Sequence, residues 1–294
     1  MAKQVVEGFI TGLHRSPYHG FSVEFAEHQH YNTGESIKHI DWKLFARTEK
    51  LFVKQYEEET NLRSQIIIDT STSMLFPFHE KKNMSKLFFS VCCASSLIYL
   101  LRKQRDAVGL SLFSDKIDLH TPSKLSVVHS QILFAELYKL ISSKAQSARK
   151  APPKRKTNCA RALHQIAENI HQRSLVILFS DMMDNENPKE VFSALQHLKY
   201  NKHEVILFHV FDKKLEENFE FGNRPHKFID LETGEELKLN PNDLRKDYIH
   251  SVNNFYEELK LKCGQYKIDL IEADINGNFQ DVLLAYLIKR NKLF

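Results

Sequence analysis

This sequence is short of cysteine and glycine. Its 294 residues include four Cys and nine Gly. The cysteines, Cys92, Cys93, Cys159 and Cys263, form no Cys-x-x-Cys pair and read as reduced thiols in a reducing compartment. The glycines assemble neither the Gly-x-Gly-x-x-Gly turn of a dinucleotide fold nor the Gly-Lys-Ser/Thr end of a phosphate-binding loop, which excludes those two nucleotide-binding classes. No apolar run reaches the roughly 18 residues that a membrane helix needs, so no membrane span is expected. Met1-Ala2-Lys3-Gln4 begins no signal-peptide core, and a cytoplasmic protein is expected. Neither charge sign dominates: 41 Lys and Arg against 37 Asp and Glu leave +4. That is too little to argue for a nucleic-acid partner. With 42% hydrophobic and 27% charged residues the composition is that of an ordinary globular protein. The length suits one large domain, or a medium domain with additions.

What the sequence does hold is centred on Gln65-Ile66-Ile67-Ile68-Asp69-Thr70-Ser71-Thr72-Ser73-Met74. A β-branched apolar run stops at Asp69, and Ser71 and Ser73 follow at alternate positions. The run reads as a strand buried on both faces, as in a parallel sheet. Open parallel sheets bind ligands beyond the carboxyl ends of their strands, which is where Asp69, Ser71 and Ser73 stand. One carboxylate and two hydroxyls are hard oxygen donors suited to Mg²⁺, with Mn²⁺ or Ca²⁺ as alternatives. The plainer account of the same residues is a helix N-cap after a strand, since Asp and Ser are favoured caps.

Strand and helix patterns alternate along the chain. Residues 107–113, 175–181, 204–211 and 267–272 read as strands, and 117–120 as an antiparallel edge strand. Residues 82–103, 127–141, 160–171, 188–199, 244–263 and 279–289 read as helices. The alternation predicts an α/β fold with a doubly wound, mainly parallel sheet over residues 65–294. A small β insertion is expected at about 212–240, from short strands at 219–221, 227–230 and 235–239 around the turn Glu232-Thr233-Gly234-Glu235. Residues 1–64 read as an extended leader packing on the main domain, with Asp41-Trp42-Lys43 as a packed aromatic beside a surface ion pair.

Asp69-x-Ser71-x-Ser73 resembles the opening of the metal-ion-dependent adhesion site of von Willebrand factor A domains. That resemblance implies two further ligands, a loop Thr and an Asp after a later strand. Thr157 opens Thr157-Asn158-Cys159-Ala160 ahead of a helix pattern, and Asp181 closes the 175–181 strand. The implied metal set is therefore Asp69, Ser71, Ser73, Thr157 and Asp181. Upstream stand Gly20-Phe21-x-x-Glu24-Phe25, Tyr31-x-x-Gly34-Glu35, Ile40-Asp41-Trp42-Lys43-x-x-Ala46-Arg47-Thr48 and Val53-Lys54-x-x-Glu57-x-Glu59. These look like the signature of a bacterial family of uncharacterised von Willebrand A-like proteins associated with MoxR-type AAA+ ATPases. The resemblance runs from about Gly12 to Asp181. Asn158 departs from the family pattern, which often has Asp there. The resemblance implies a von Willebrand A-like fold, a bound Mg²⁺, and a MoxR-type AAA+ ATPase as partner in chaperone-like assembly or maturation of other proteins.

Two carboxylates balance one divalent ion, and no third acid is evident in the motif. An open coordination position would then attract an acidic side chain of a protein partner. Residues 143–156 carry Lys144, Arg149, Lys150, Lys154, Arg155 and Lys156 and no acid. Lys154, Arg155 and Lys156 adjoin Thr157 and would steer such a partner. This is recognition chemistry, so a non-enzymatic adaptor is expected. One rival is a Mg²⁺-dependent hydrolase of a phosphorylated ligand, of the haloacid dehalogenase kind. Its general acid would stand two residues after Asp69, where this chain has Ser71. The other rival is an interaction module that keeps the fold without the metal.

Overall fold

The computed structural model describes residues 22–31, 40–59, 62–77, 85–147, 159–183, 188–222, 224–229 and 236–293. The chain divides into two compact units, one within Ser16–Leu62 and one within Arg63–Phe294.

In the smaller unit, strands β1 (Ser22–His30) and β2 (Phe52–Glu59) pair antiparallel, with a bulge between Phe25 and Glu27. A short helix, Trp42–Thr48, lies between them in sequence. Asp41 Oδ1 accepts from the backbone N–H of Lys43 at 3.0 Å and of Leu44 at 3.1 Å, which satisfies first-turn donors. The reading of Trp42 as a packed aromatic is corrected. Asp41 is an N-cap, and Trp42 is 60% exposed, meeting Phe45 edge-on at 6.2 Å.

The larger unit is a six-stranded sheet. Its strands are β3 (Arg63–Asp69), β4 (Ala107–Phe113), β5 (Ile117–His120), β6 (Leu175–Ser180), β7 (Glu204–Phe211) and, after a separate hairpin of β8 (His226–Ile229) and β9 (Glu236–Leu239), β10 (Asp269–Asp274). The order across the sheet is β10-β7-β6-β3-β4-β5, parallel throughout except for β5, which runs antiparallel at the edge. The doubly wound, mainly parallel sheet expected from the sequence is thus what the chain forms. β3 is central, and its residues from Ser64 to Asp69 are all buried.

Strand alternation divides the core between the two faces. Ile67, Val176, Leu178, Val205 and Leu207 point into one layer with the helices Cys159–Asn169 and Pro188–Tyr200 and with Leu259 and Cys263 of the helix Pro241–Tyr266. The helices Lys86–Lys103, Val127–Ser147 and Phe279–Leu293 complete the domain, and Tyr286 meets Phe208 edge-on at 5.7 Å. Cys93, Cys159 and Cys263 are buried in these layers and all four thiols are free. Burial pushes the Cys92 thiol up to about 11 and that of Cys263 up to about 12, so these groups pack.

Several boundaries differ from expectation. The helix expected to end at residue 141 runs on to Ser147, into the stretch read as a basic loop. The helix expected from residue 244 starts at Pro241, whose fixed φ and missing N–H suit a first turn. The last strand lies at Asp269–Asp274, two residues later than expected. No strand forms at 219–221. Instead, Asp212 Oδ1 accepts from Lys214 N and Leu215 N and caps a π-helical turn, Lys213–Glu217. Phe219 then turns back with φ 49 and stacks on Phe228 of β8 at 5.7 Å. Aromatic packing over the hairpin has displaced strand pairing. The turn at 232–235 lies outside the described residues.

Gln65 ties the centre of the sheet to its edge. Its Nε2 donates to Ser111 Oγ at 2.8 Å and to the Thr121 carbonyl at 3.2 Å, and its Oε1 accepts from Ser123 Oγ at 3.2 Å. The facing residue is Gly109, where an added Cβ would stand 2.2 Å from Gln65 Oε1 and 2.6 Å from the Thr121 carbonyl oxygen. Gly109→Ala should therefore destabilise the domain by about 1–3 kcal/mol through overpacking and loss of this buried network. Denaturant unfolding measures it, and an unchanged midpoint would show that the network can relax around a methyl group.

Candidate functional site

The sheet order reverses between β3 and β6: β4 and β5 lie on one side of β3, and β6, β7 and β10 on the other. Ligands of such sheets bind at this switch point, beyond the carboxyl ends of the strands. Ile68 of β3 stands opposite Phe179 of β6, so Asp69 and the Ser180–Asp181 pair leave the sheet side by side. Ser180 Oγ donates to Asp69 Oδ2 at 2.7 Å, and Ser71 N–H donates to Asp69 Oδ1 at 2.9 Å. Beyond Asp69 the chain makes a short 3₁₀ turn, Ser73–Leu75, which brings Ser71 Oγ and Ser73 Oγ to 3.0 Å. Thr70 N–H anchors the loop to the Phe113 carbonyl at 2.7 Å.

Asp69 is 3% exposed. Burial and the nearby Asp181 carboxylate raise its pKa from 3.8 to about 6, against the hydrogen bonds from Ser71 and Ser180. Asp181 is 1% exposed; its Oδ1 accepts from Met183 N–H at 3.1 Å, and its Oδ2 accepts from Lys86 Nζ at 2.7 Å. Lys86 is fully buried and also donates to Glu216 Oε1 at 2.5 Å. Burial disfavours its charge, but Asp181 and Glu216 outweigh that cost and hold the ammonium above its ordinary range. Glu216 Oε2 accepts from Asp212 N–H at 2.8 Å; burial raises its pKa, with Lys86 opposing. His209 Nε2 lies 3.1 Å from the Asp181 carbonyl oxygen, to which it can only donate. Burial pushes the imidazole down to about 4 and keeps it neutral at pH 7.

Of the residues singled out in the sequence, Asp69, Ser71, Ser73 and Asp181 come together. Thr157, Lys154, Arg155 and Lys156 lie outside the described residues. A third carboxylate, Glu216, which lies outside the motif, joins the cluster through Lys86. A signal for Lys86 was present but faint. It is the first residue of its helix, after the N-cap Ser85. A cation there opposes the helix dipole and calls for an acidic partner.

The arrangement fits a hard divalent cation in two respects. Asp181 and Glu216 bond the Lys86 ammonium and Asp69 lies in the field of Asp181, so the three carboxylates of the cluster exceed its one ammonium by two charges, one divalent ion's worth. Octahedral Mg²⁺ with oxygens at about 2.0–2.1 Å places adjacent ligands about 2.9 Å apart, close to the 3.0 Å between the two serine oxygens. Among the described residues, no cluster of three or more His, Cys, Asp or Glu is arranged as a metal cage. Any ion here would therefore depend on the serine hydroxyls and on water.

A family model described as a protein of unknown function, DUF58, matches residues 27–257. The chain belongs to the DUF58 family. Among curated relatives, uncharacterized proteins of Mycobacterium bovis and Mycobacterium tuberculosis are 22% identical over 214 residues, covering 72% of this chain and 62% of each relative. This chain thus spans less than two thirds of the length of those relatives. Among solved structures, BatB from Bacteroides thetaiotaomicron is 16% identical with a TM-score of 0.46, covering 79% of this chain and 99% of that one. The SpRpn10 VWA domain is 12% identical with a TM-score of 0.35, covering 76% and 93%. No helix among the described residues is long and apolar enough to cross a membrane.

Two outcomes follow from the buried charges. Lys86→Met keeps most of the apolar stem but leaves Asp181 and Glu216 without their cation, which should cost about 3–5 kcal/mol. Urea unfolding reads this as a lower midpoint at constant slope; a loss below about 1 kcal/mol would mean that water reaches the two acids. The second outcome is a pH dependence. Asp69 binds its proton more tightly when folded, so its contribution is complete below the unfolded pKa of 3.8 and disappears as pH rises through about 6. With EDTA present, stability should fall across that window in the wild type, and Asp69→Asn should flatten the fall.

Proposed function

We propose that this DUF58 protein is a non-enzymatic, cytoplasmic adaptor that grips a protein partner through a Mg²⁺ ion held at the β3–β6 switch point. Asp69, Ser71, Ser73, Thr157 and Asp181 would hold the ion, with Mn²⁺ or Ca²⁺ as substitutes. The observation that carries this reading is the 3.0 Å pair of serine hydroxyls beside buried carboxylates that exceed their one ammonium by two charges. When bound, Mg²⁺ supplies an electrophilic position for an oxygen ligand. Water or an acidic side chain of the partner takes it. The chain's own groups orient the carboxylates, through Ser180 and Lys86.

The partner set includes a MoxR-type AAA+ ATPase by the resemblance of the leader and the Asp69 motif to proteins associated with such ATPases. The joint role would be chaperone-like assembly or maturation of other proteins. Lys154, Arg155 and Lys156 would steer the acidic partner. Exposed charges of this kind raise association rates and are screened over about 8–10 Å at physiological salt.

Thermal unfolding with increasing Mg²⁺ tests the ion site. At a hundred times the dissociation constant a ligand adds about 2.7 kcal/mol of stability, and Asp69→Ala should abolish that gain. A wild type indifferent to Mg²⁺ would sink the metal reading. Purified protein should turn over neither phosphomonoesters nor nucleotides with Mg²⁺. Steady turnover that vanishes in Asp69→Asn would establish a hydrolase in place of the adaptor.

A further inference from the structure

Beside the acidic cluster, at the carboxyl ends of β7 and β10, lies a pocket of about 60 Å³. Its walls are aromatic: the His209 ring is 5.4 Å from Phe211 and 5.8 Å from Tyr256, and Phe255 completes the set. Its charged lining is acidic: Glu216, Glu217 and Glu272 contribute, beside the neutral Asn253, and no Lys or Arg does. Glu216 is matched by Lys86, but Glu217 and Glu272 have no basic partner in the lining. Tyr256 donates its phenol proton to Glu272. Burial, that bond and the fields of Glu272, Glu257 and Glu217 all raise the tyrosine's pKa, which marks a negative potential.

A second, independent observation points to a ligand. His209 is 7% exposed and its Nδ1 has no hydrogen-bond partner. The ring forms part of the pocket wall, and with Nε2 donating to the Asp181 carbonyl, Nδ1 is its one uncommitted polar atom and must be an acceptor. Its lone pair, two carboxylates and aromatic faces together seek a donor that carries positive charge. Aromatic walls attract cations, and a buried acceptor without a donor carries a cost that such a ligand removes. The volume is far below the roughly 300–1,000 Å³ of pockets for drug-sized ligands and admits a terminal group alone. Met183, 38% exposed, adds an apolar surface to the lining on which the methylene stem of a long side chain can lie.

We propose that this pocket takes the ammonium or guanidinium end of a Lys or Arg side chain of a protein partner. The assignment stands apart from the metal reading, and its tests are run in EDTA. The full-length protein, ¹⁵N-labelled at histidine, is titrated with acetyl-arginine amide, acetyl-lysine amide, neutral acetyl-glutamine amide and spermidine. Arginine or lysine amide should shift the His209 Nδ1 resonance saturably, and the glutamine amide should not. Glu217→Gln combined with Glu272→Gln should weaken that binding by about tenfold or more, as for the loss of close charge partners, while thermal unfolding confirms that the variant is folded. Tyr256→Phe keeps the aromatic wall and should bind within about threefold of wild type. A flat Nδ1 resonance, or an equal response to the glutamine amide, overturns the proposal. Spermidine binding about tenfold tighter than either amide would overturn the protein-partner assignment in favour of a free polyamine.

Discussion

The buried ammonium of Lys86 constrains the rest of the site. A fully desolvated cation is tolerated only when its partners are in place, and those partners come from distant stretches. Asp181 arrives at the end of β6, 95 positions along the chain, and Glu216 from the turn after β7, 130 positions along. The start of a helix, the end of a central strand and a π-helical turn must therefore assemble together. The apolar layers on either side of the sheet provide most of the driving force for folding. The ion triad decides where the loops at the switch point end up.

That triad also shapes what lies on either side of it. On one side, Asp69 shares the field of Asp181, and the serine hydroxyls turn inward toward one another. On the other, His209 is held by the Asp181 carbonyl and stays neutral, so it adds a wall to the aromatic pocket without adding charge. Both neighbours are short of positive charge and both are built on the ends of rigid strands, which is how a scaffold presents a precise binding edge.

The DUF58 assignment covers both structural units, since the family match begins within the leader at residue 27 and runs to residue 257. The leader is therefore part of the family's common design. In it, the Asp41-capped helix carries Trp42 outward, where a side chain of that size adds little to a core and remains available at the surface.

The sequence by itself determined whatever depends on neighbouring residues. The run Ile66–Ile68 could only be a buried strand, and its abrupt end at Asp69 placed that carboxylate, with Ser71 and Ser73, at the edge of a sheet. The alternation of strand and helix from β3 to the last helix made a doubly wound sheet the natural architecture. Both are local properties: strand period, strand termination and helical spacing are written in contiguous residues. The tertiary structure alone decided which strands are neighbours, and hence that Ser180 bonds Asp69. It also decided that Lys86 belongs with Asp181 and Glu216, that His209 keeps a free lone pair, and that Phe219 packs on Phe228. Each of these depends on contacts between residues far apart in the chain, where sequence spacing carries no information about distance. Burial then sets the electrostatics: a lysine that reads in sequence as one more surface charge becomes, once water is removed, the group around which two acids are arranged.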